Sequence, residues 1–87
     1  MKNQFNNRKI EPDFFDEFKG TTIEVSTKFL ENGVYYIYKG VLVKRGKNFI
    51  YIRDGEVYEA KGNERKKISD FSRIALNKTI VSFVNFI

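Results

Sequence analysis

From Thr21 onward, turn-forming pairs recur at short intervals along the chain. Asn32-Gly33 and Asp54-Gly55 both accept positive φ and read as two-residue hairpin turns. Gly46-Lys47, Gly62-Asn63 and Asn77-Lys78 are weaker signals of the same kind. Between them lie TTIEVSTKFL, VYYIYKGVLVKR, NFIYIR, EVYEAK, ERKKISDFSRIAL and TIVSFVNFI, all rich in β-branched and aromatic residues that suit a pleated, half-buried surface. In the first segment Ile23, Val25 and Phe29 fall on one side, and Glu24, Ser26 and Lys28 on the other. No repeat, low-complexity run or linker interrupts this antiparallel meander. Residues 11–87 read as a single domain, after a polar, Asn-rich tail over residues 1–10.

Two strands and one helix complete the expected architecture. Val34 to Val43 is apolar on both faces, with Lys39 and Gly40 interrupting it. Glycine in the middle of a long strand allows a sharp bend, so that one strand serves both halves of a curled sheet. Bending of this kind predicts a small, five-stranded antiparallel barrel. TIVSFVNFI is uncharged and apolar on both faces. An open edge of that composition aggregates, so the sequence predicts that it pairs with a sister subunit. EPDFFDEFKG reads as a short helix over residues 12–19. Pro12 suits its first position, Asp13, Asp16 and Glu17 suit its positive end, and Gly20 suits its stop. Phe14, Phe15 and Phe18 are spaced to form a lid on the barrel's open end.

Composition narrows the function. The chain contains no cysteine, which excludes disulfides and thiolate metal sites, and no histidine, the usual zinc ligand and neutral-pH base. The remaining carboxylates, serines and lysines fall into no catalytic spacing, so neither an enzyme nor a cofactor is expected. Apolar runs stay short of the roughly 18–20 residues that cross a bilayer. MKNQFNNRKIEPD has no apolar block of a secretory signal, and a cytoplasmic location is expected. Charge is unevenly spread. Residues 1–33 hold five basic and six acidic side chains, for a net of −1, whereas residues 34–87 hold eleven and five, for a net of +6. The basic portion suits either a polyanion or ordinary solvation of a β-rich surface.

These segments resemble the Sm-like family of small β-barrels. FKGTTIEV is similar to the family's opening, a glycine followed by an alternating first strand. Tyr38-Lys39-Gly40-Val41-Leu42 resembles its second-strand pattern, and Asn48 with Phe49-Ile50-Tyr51-Ile52 resembles the asparagine that closes the first motif and opens the third strand. Ala75-Leu76-Asn77-Lys78-Thr79-Ile80 lies where the second motif would fall. The resemblance covers about residues 14–87 and implies a bent barrel that assembles into a homo-oligomeric ring and binds RNA at its pore. Lys44 and Gly46 stand where RNA-binding members carry an acid and a stacking side chain, and Leu76-Asn77 replaces their Arg-Gly. The implied contact is therefore with phosphates and not with a base code.

The candidate binding residues are Lys44, Arg45, Lys47 and Asn48 in the VKRGKN loop, joined by Asn77 and Lys78. Repetition around a ring would multiply a weak basic contact. The plainer reading of both segments is a pair of solvated turns. Tyr35, Tyr36, Tyr38, Phe49 and Tyr51 suit base stacking or a cage for a methylated cation, but alternating aromatics on central strands more often form core. Only Tyr35 and Tyr51 are expected to reach the surface. Arg65, Lys66 and Lys67 form the densest basic run, on what reads as an exposed hairpin tip. The expected function is non-catalytic binding of RNA, or of another single-stranded nucleic acid, by such a ring, without a membrane or small-molecule substrate. The alternatives are an oligomeric adaptor that binds protein and no nucleic acid, and a monomeric barrel that reads peptides through its tyrosines.

Overall fold

The computed structural model describes residues 17–87. The expected tail over 1–10 and most of the expected helix over 12–19, including Phe14 and Phe15, lie outside the described residues. Within them Glu17 is helical and Phe18–Gly20 form a turn, where Gly20 adopts φ 82°. Five antiparallel strands follow: β1 (Thr22–Thr27), β2 (Tyr35–Arg45), β3 (Phe49–Lys61), β4 (Glu64–Asn77) and β5 (Val81–Phe86). They form one sheet in the order β4-β3-β2-β1-β5. The all-β class is as the turn spacing predicts. Among the described residues no helix is long and apolar enough to cross a membrane.

Two expectations need correction. The sheet is not closed into a barrel: β4 and β5 are its opposite edges, and each pairs on one side only. The reason is a mismatch of length and character. β4 runs for 14 residues and exposes every side chain from Glu64 to Asp70, whereas the six residues of β5 align with β1. The sheet is nonetheless curled. In a flat sheet, edge strands four ladder spacings apart are separated by about 19 Å. A 3-10 turn of three residues, Lys78–Ile80, carries the chain from one edge strand to the other. Lys78 N–H donates to the Asn48 carbonyl at 2.9 Å, and Lys28 N–H donates to the Ile80 carbonyl at 2.9 Å, which pins this connector at both ends.

The second correction concerns Asp54-Gly55, which is not a hairpin turn. β3 runs straight through it, and the segments NFIYIR and EVYEAK are one strand. Lys39 pairs with Glu56 and Val41 with Arg53, so one residue of β2, Gly40, faces two of β3. That arrangement is a β-bulge, with Asp54 at φ 50°. Close packing makes both glycines necessary. A Cβ on Gly55 would lie 2.1 Å from the Lys39 carbonyl oxygen and 2.4 Å from the Phe71 ring, and one on Gly40 would lie 2.8 Å from the Arg53 carbonyl oxygen. A turn signal between two β segments thus becomes a bend when a long partner strand lies alongside both. The Asn32-Gly33 and Gly62-Asn63 signals do mark turns, with φ of 81° and 62° at their glycines.

The core is aliphatic. Ile23, Val25, Leu42, Ile50, Ile52 and Leu76 form one buried cluster, against which Tyr38, Phe71, Ile74, Val84 and Phe86 pack from the side. Cross-strand partners share a face, and the pairs Val25–Tyr38, Leu42–Ile52 and Ile50–Leu76 place these residues on the concave side. Phe18 caps the cluster by stacking on Phe86, with ring centroids 4.4 Å apart. The tyrosines of β2 and β3 are half-buried and do not form the core. β-branched and leucine side chains fill the narrow interior of the bend, and the larger rings lie at its margins.

Candidate nucleic-acid interface

One end of the sheet is built from two connections that are distant in sequence. The β2–β3 turn occupies residues 46–48, and the β4–β5 turn is Lys78–Ile80. Ladder pairing of Phe49 with Asn77 brings them side by side. Gly46 N–H donates to the Phe49 carbonyl at 2.7 Å and closes the first turn. The Asn77 side chain accepts the Thr79 N–H at 2.9 Å and caps the second. Lys78 locks the two together: its backbone N–H reaches the Asn48 carbonyl, and its Nζ donates to the Lys47 carbonyl at 3.0 Å. The six residues singled out from the sequence therefore come from both turns and the ends of the strands that flank them.

They do not all face one way. Lys44 pairs with Tyr51, and its Nζ lies 5.2 Å from the centroid of that ring, on the convex side of the sheet. Arg45 pairs with the buried Ile50 and so emerges on the concave side. An extra residue in β2, Val43, lies between Leu42 and Lys44 in this register, and it turns Lys44 outward. Lys47 and Asn48 are exposed at the tip. Asn77 is committed to its cap and Lys78 is half-buried, so the second turn contributes its charge from beneath the first.

The surroundings of Lys78 disfavour its charged form. Among the described residues no carboxylate lies within 4.0 Å of Lys44, Lys47 or Lys78. Burial, and then the charge of Arg45, lower the pKa of Lys78 below its ordinary value. The fold thus holds the Lys78 ammonium at a cost that a bound anion would offset. Among the described residues no cluster of three His, Cys, Asp or Glu side chains is placed to hold a metal ion. The arrangement suits binding of phosphates.

Sequence reasoning passes over Arg53 and Arg73. They are directly opposite each other in the β3–β4 ladder, two pairs beyond Tyr51 and Ala75 and on the same convex face, with the inward pair Ile52–Ile74 between. Their proximity depends on a register that no local pattern reveals. Neither a protein-family model nor a curated protein matches this chain in sequence.

Proposed function

We propose that the protein is a cytoplasmic, non-catalytic binder of RNA or other single-stranded nucleic acid, holding backbone phosphates with the cations at its β2–β3 and β4–β5 turns. The convergence of Lys47 and Lys78, through the 3.0 Å bond that ties one turn to the other, is the observation that carries this reading. Lys44 and Arg45 flank the tip on its two sides. Each phosphate neutralised there releases condensed counterions, so affinity falls steeply with salt.

The same reading includes a homo-oligomeric ring of Sm-like subunits. Its support is the strand order, which leaves β4 and β5 as two open edges, one of them uncharged. Phe83 on β5 and Ile68 on β4 are 60% and 48% exposed, large apolar side chains on those edges that a neighbouring subunit would cover. Pairing of the β4 edge of one copy with the β5 edge of the next is a head-to-tail contact, which gives a ring where the rotation between copies closes. It gathers the cationic ends of several copies. The exposed Phe83 and Ile68 also favour a second reading, an adaptor whose oligomer or partner is held by these edges alone and which binds no nucleic acid.

Solution mass by light scattering, followed by titration of labelled single-stranded RNA at several salt concentrations, tests both parts. The expected results are a discrete oligomer and a log-log salt slope steeper than about −2, equivalent to three or more phosphate contacts. A monomer overturns the ring. An oligomer without salt-sensitive RNA affinity overturns the binding function and leaves the adaptor.

A further inference from the structure

The convex face beside the cationic end carries an open groove of about 470 Å³. That volume falls within the roughly 300–1,000 Å³ of small-ligand sites. Val43 and Ala75 give it apolar side chains, Lys44, Tyr51, Arg53 and Arg73 supply its aromatic and charged groups, and the inward-facing pair Ile52–Ile74 lies between them in the ladder. Tyr51 stands at one side, braced by Gly46, where an added Cβ would lie only 3.1 Å from the ring. At the other side Arg53 and Arg73 oppose each other across the ladder.

That arginine pair calls for an explanation. Like charges directly opposite in a ladder are destabilising. Asp54 relieves Arg53 at 2.6 Å, but among the described residues no carboxylate lies within 4.0 Å of Arg73. With Lys44, three cations line the groove. An anion set between the two guanidinium groups would satisfy Arg73 and cancel the repulsion. The lining beside them is apolar and ends on a tyrosine, which is what a flat ring needs and a bare phosphate does not. A nucleotide carries both parts.

We propose that this groove is a base-accepting subsite for one nucleotide of a single strand, with its base against Tyr51 and the apolar lining and its phosphate on Arg53 and Arg73. The proposal deepens the reading given above and rests on it for the choice of a single strand as ligand. It adds what the turns lack, a place where a base and not only its phosphate is held. Lys44 belongs to both sites and leads the strand from the turn onto the convex face.

The test compares a hexauridylate RNA with a hexamer of the same backbone that lacks bases, by fluorescence anisotropy at low salt. Wild-type protein is expected to prefer the base-bearing strand by about tenfold, the scale of one stacked base. Ala75→Glu places a carboxylate in the groove at an exposed strand position and should bring that preference to within about twofold, as should Tyr51→Leu. Arg73→Gln should weaken both strands and reduce the salt slope by about 0.7. Equal affinity of wild type for the two strands, or an undiminished preference in Ala75→Glu, overturns the subsite. Lys47→Ala with Lys78→Ala separates the two proposals, because it should weaken both strands while keeping their ratio. If this double variant binds as wild type does and the base preference persists, the turn reading falls and the groove stands. If it loses affinity and wild type shows no base preference, the groove falls and the turn reading stands.

Discussion

The two ends of the sheet are both rich in basic side chains, and the structure treats them in opposite ways. Around the β3–β4 hairpin, Arg65 reaches Glu24 at 3.3 Å and lies over the Tyr58 ring. Lys67 sits between Glu56 at 3.2 Å and Asp70 at 3.0 Å, and Lys66 faces Glu59 in the ladder. At the far end Lys78 meets the charge of Arg45, and among the described residues no acid lies within 4.0 Å of Lys44, Lys47 or Lys78. Local cation density thus misleads. The densest basic run, Arg65-Lys66-Lys67, meets Glu24, Glu56 and Asp70, whereas Lys44, Lys47 and Lys78 meet no acid among the described residues. What decides the field is the partner that the register supplies, and a surface ion pair is worth little in stability while still cancelling charge.

The largest expected effect tests that contrast directly. Replacing Lys44, Arg45 and Lys47 by alanine should weaken RNA binding about 100-fold at low salt and flatten the salt slope by about 2. Replacing Arg65, Lys66 and Lys67 by alanine removes the same formal charge and should change affinity by less than about threefold. Anisotropy titrations of the two triple variants against one RNA provide the check. Equal losses would mean that net charge, and not its placement, governs binding.

How much of this is legible in the sequence depends on the range of the interaction involved. Strand identity is legible because β-branched and aromatic residues between turn pairs state it locally, as β1 and β2 show. Asp54-Gly55 reads locally as a turn, but its role depends on Gly40 and Phe71, which only β2 and β4 bring to it. Closure escapes a local reading for a similar reason: Gly40 does mark a bend, but whether two edge strands then pair depends on their relative lengths and alignment. The candidate site is legible as two loops with basic residues. That Lys44 and Arg45 take opposite faces is not, since the extra residue at Val43 shifts the register between them. The Arg53–Arg73 pair has no local signal at all.

A smaller effect concerns the neutralised end. Tyr58 donates a hydrogen bond to Glu56, and this bond, followed by that from Lys67, holds the Glu56 carboxyl below its ordinary pKa. A carboxylate with a depressed folded pKa contributes stability that is fully present above its unfolded value, here the ordinary 4.5, and lost as pH falls through the folded value. Urea midpoints measured from neutral pH into the acid range should fall for wild-type protein through that window and fall less for Glu56→Gln. Lys47→Gln, at the other end, should retain the wild-type acid profile. Superimposable profiles for wild type and Glu56→Gln would show that the network around Lys67 contributes nothing to acid stability.

Lys78 gives the smallest effect and the finest test of the contrast, because its sign is reversed. Burial and Arg45 disfavour its charged form in the folded state. The unfolded chain therefore binds the proton more tightly, and stability rises as pH climbs from the depressed folded pKa toward the ordinary 10.5. Lys78→Met keeps most of the stem, removes the charge and gives up the bond to the Lys47 carbonyl. The free protein should be unchanged or more stable, by at most about 1 kcal/mol, and its alkaline gain should vanish. RNA affinity should drop several-fold, since a phosphate that would have met a raised cationic field now meets a weaker one. A cation that weakens the fold slightly and strengthens the complex is placed for a ligand, whereas the Arg65–Lys67 cations are placed for the fold. Lower stability of Lys78→Met together with unchanged RNA affinity would put Lys78 in the second group and leave the turn tip without its supporting charge.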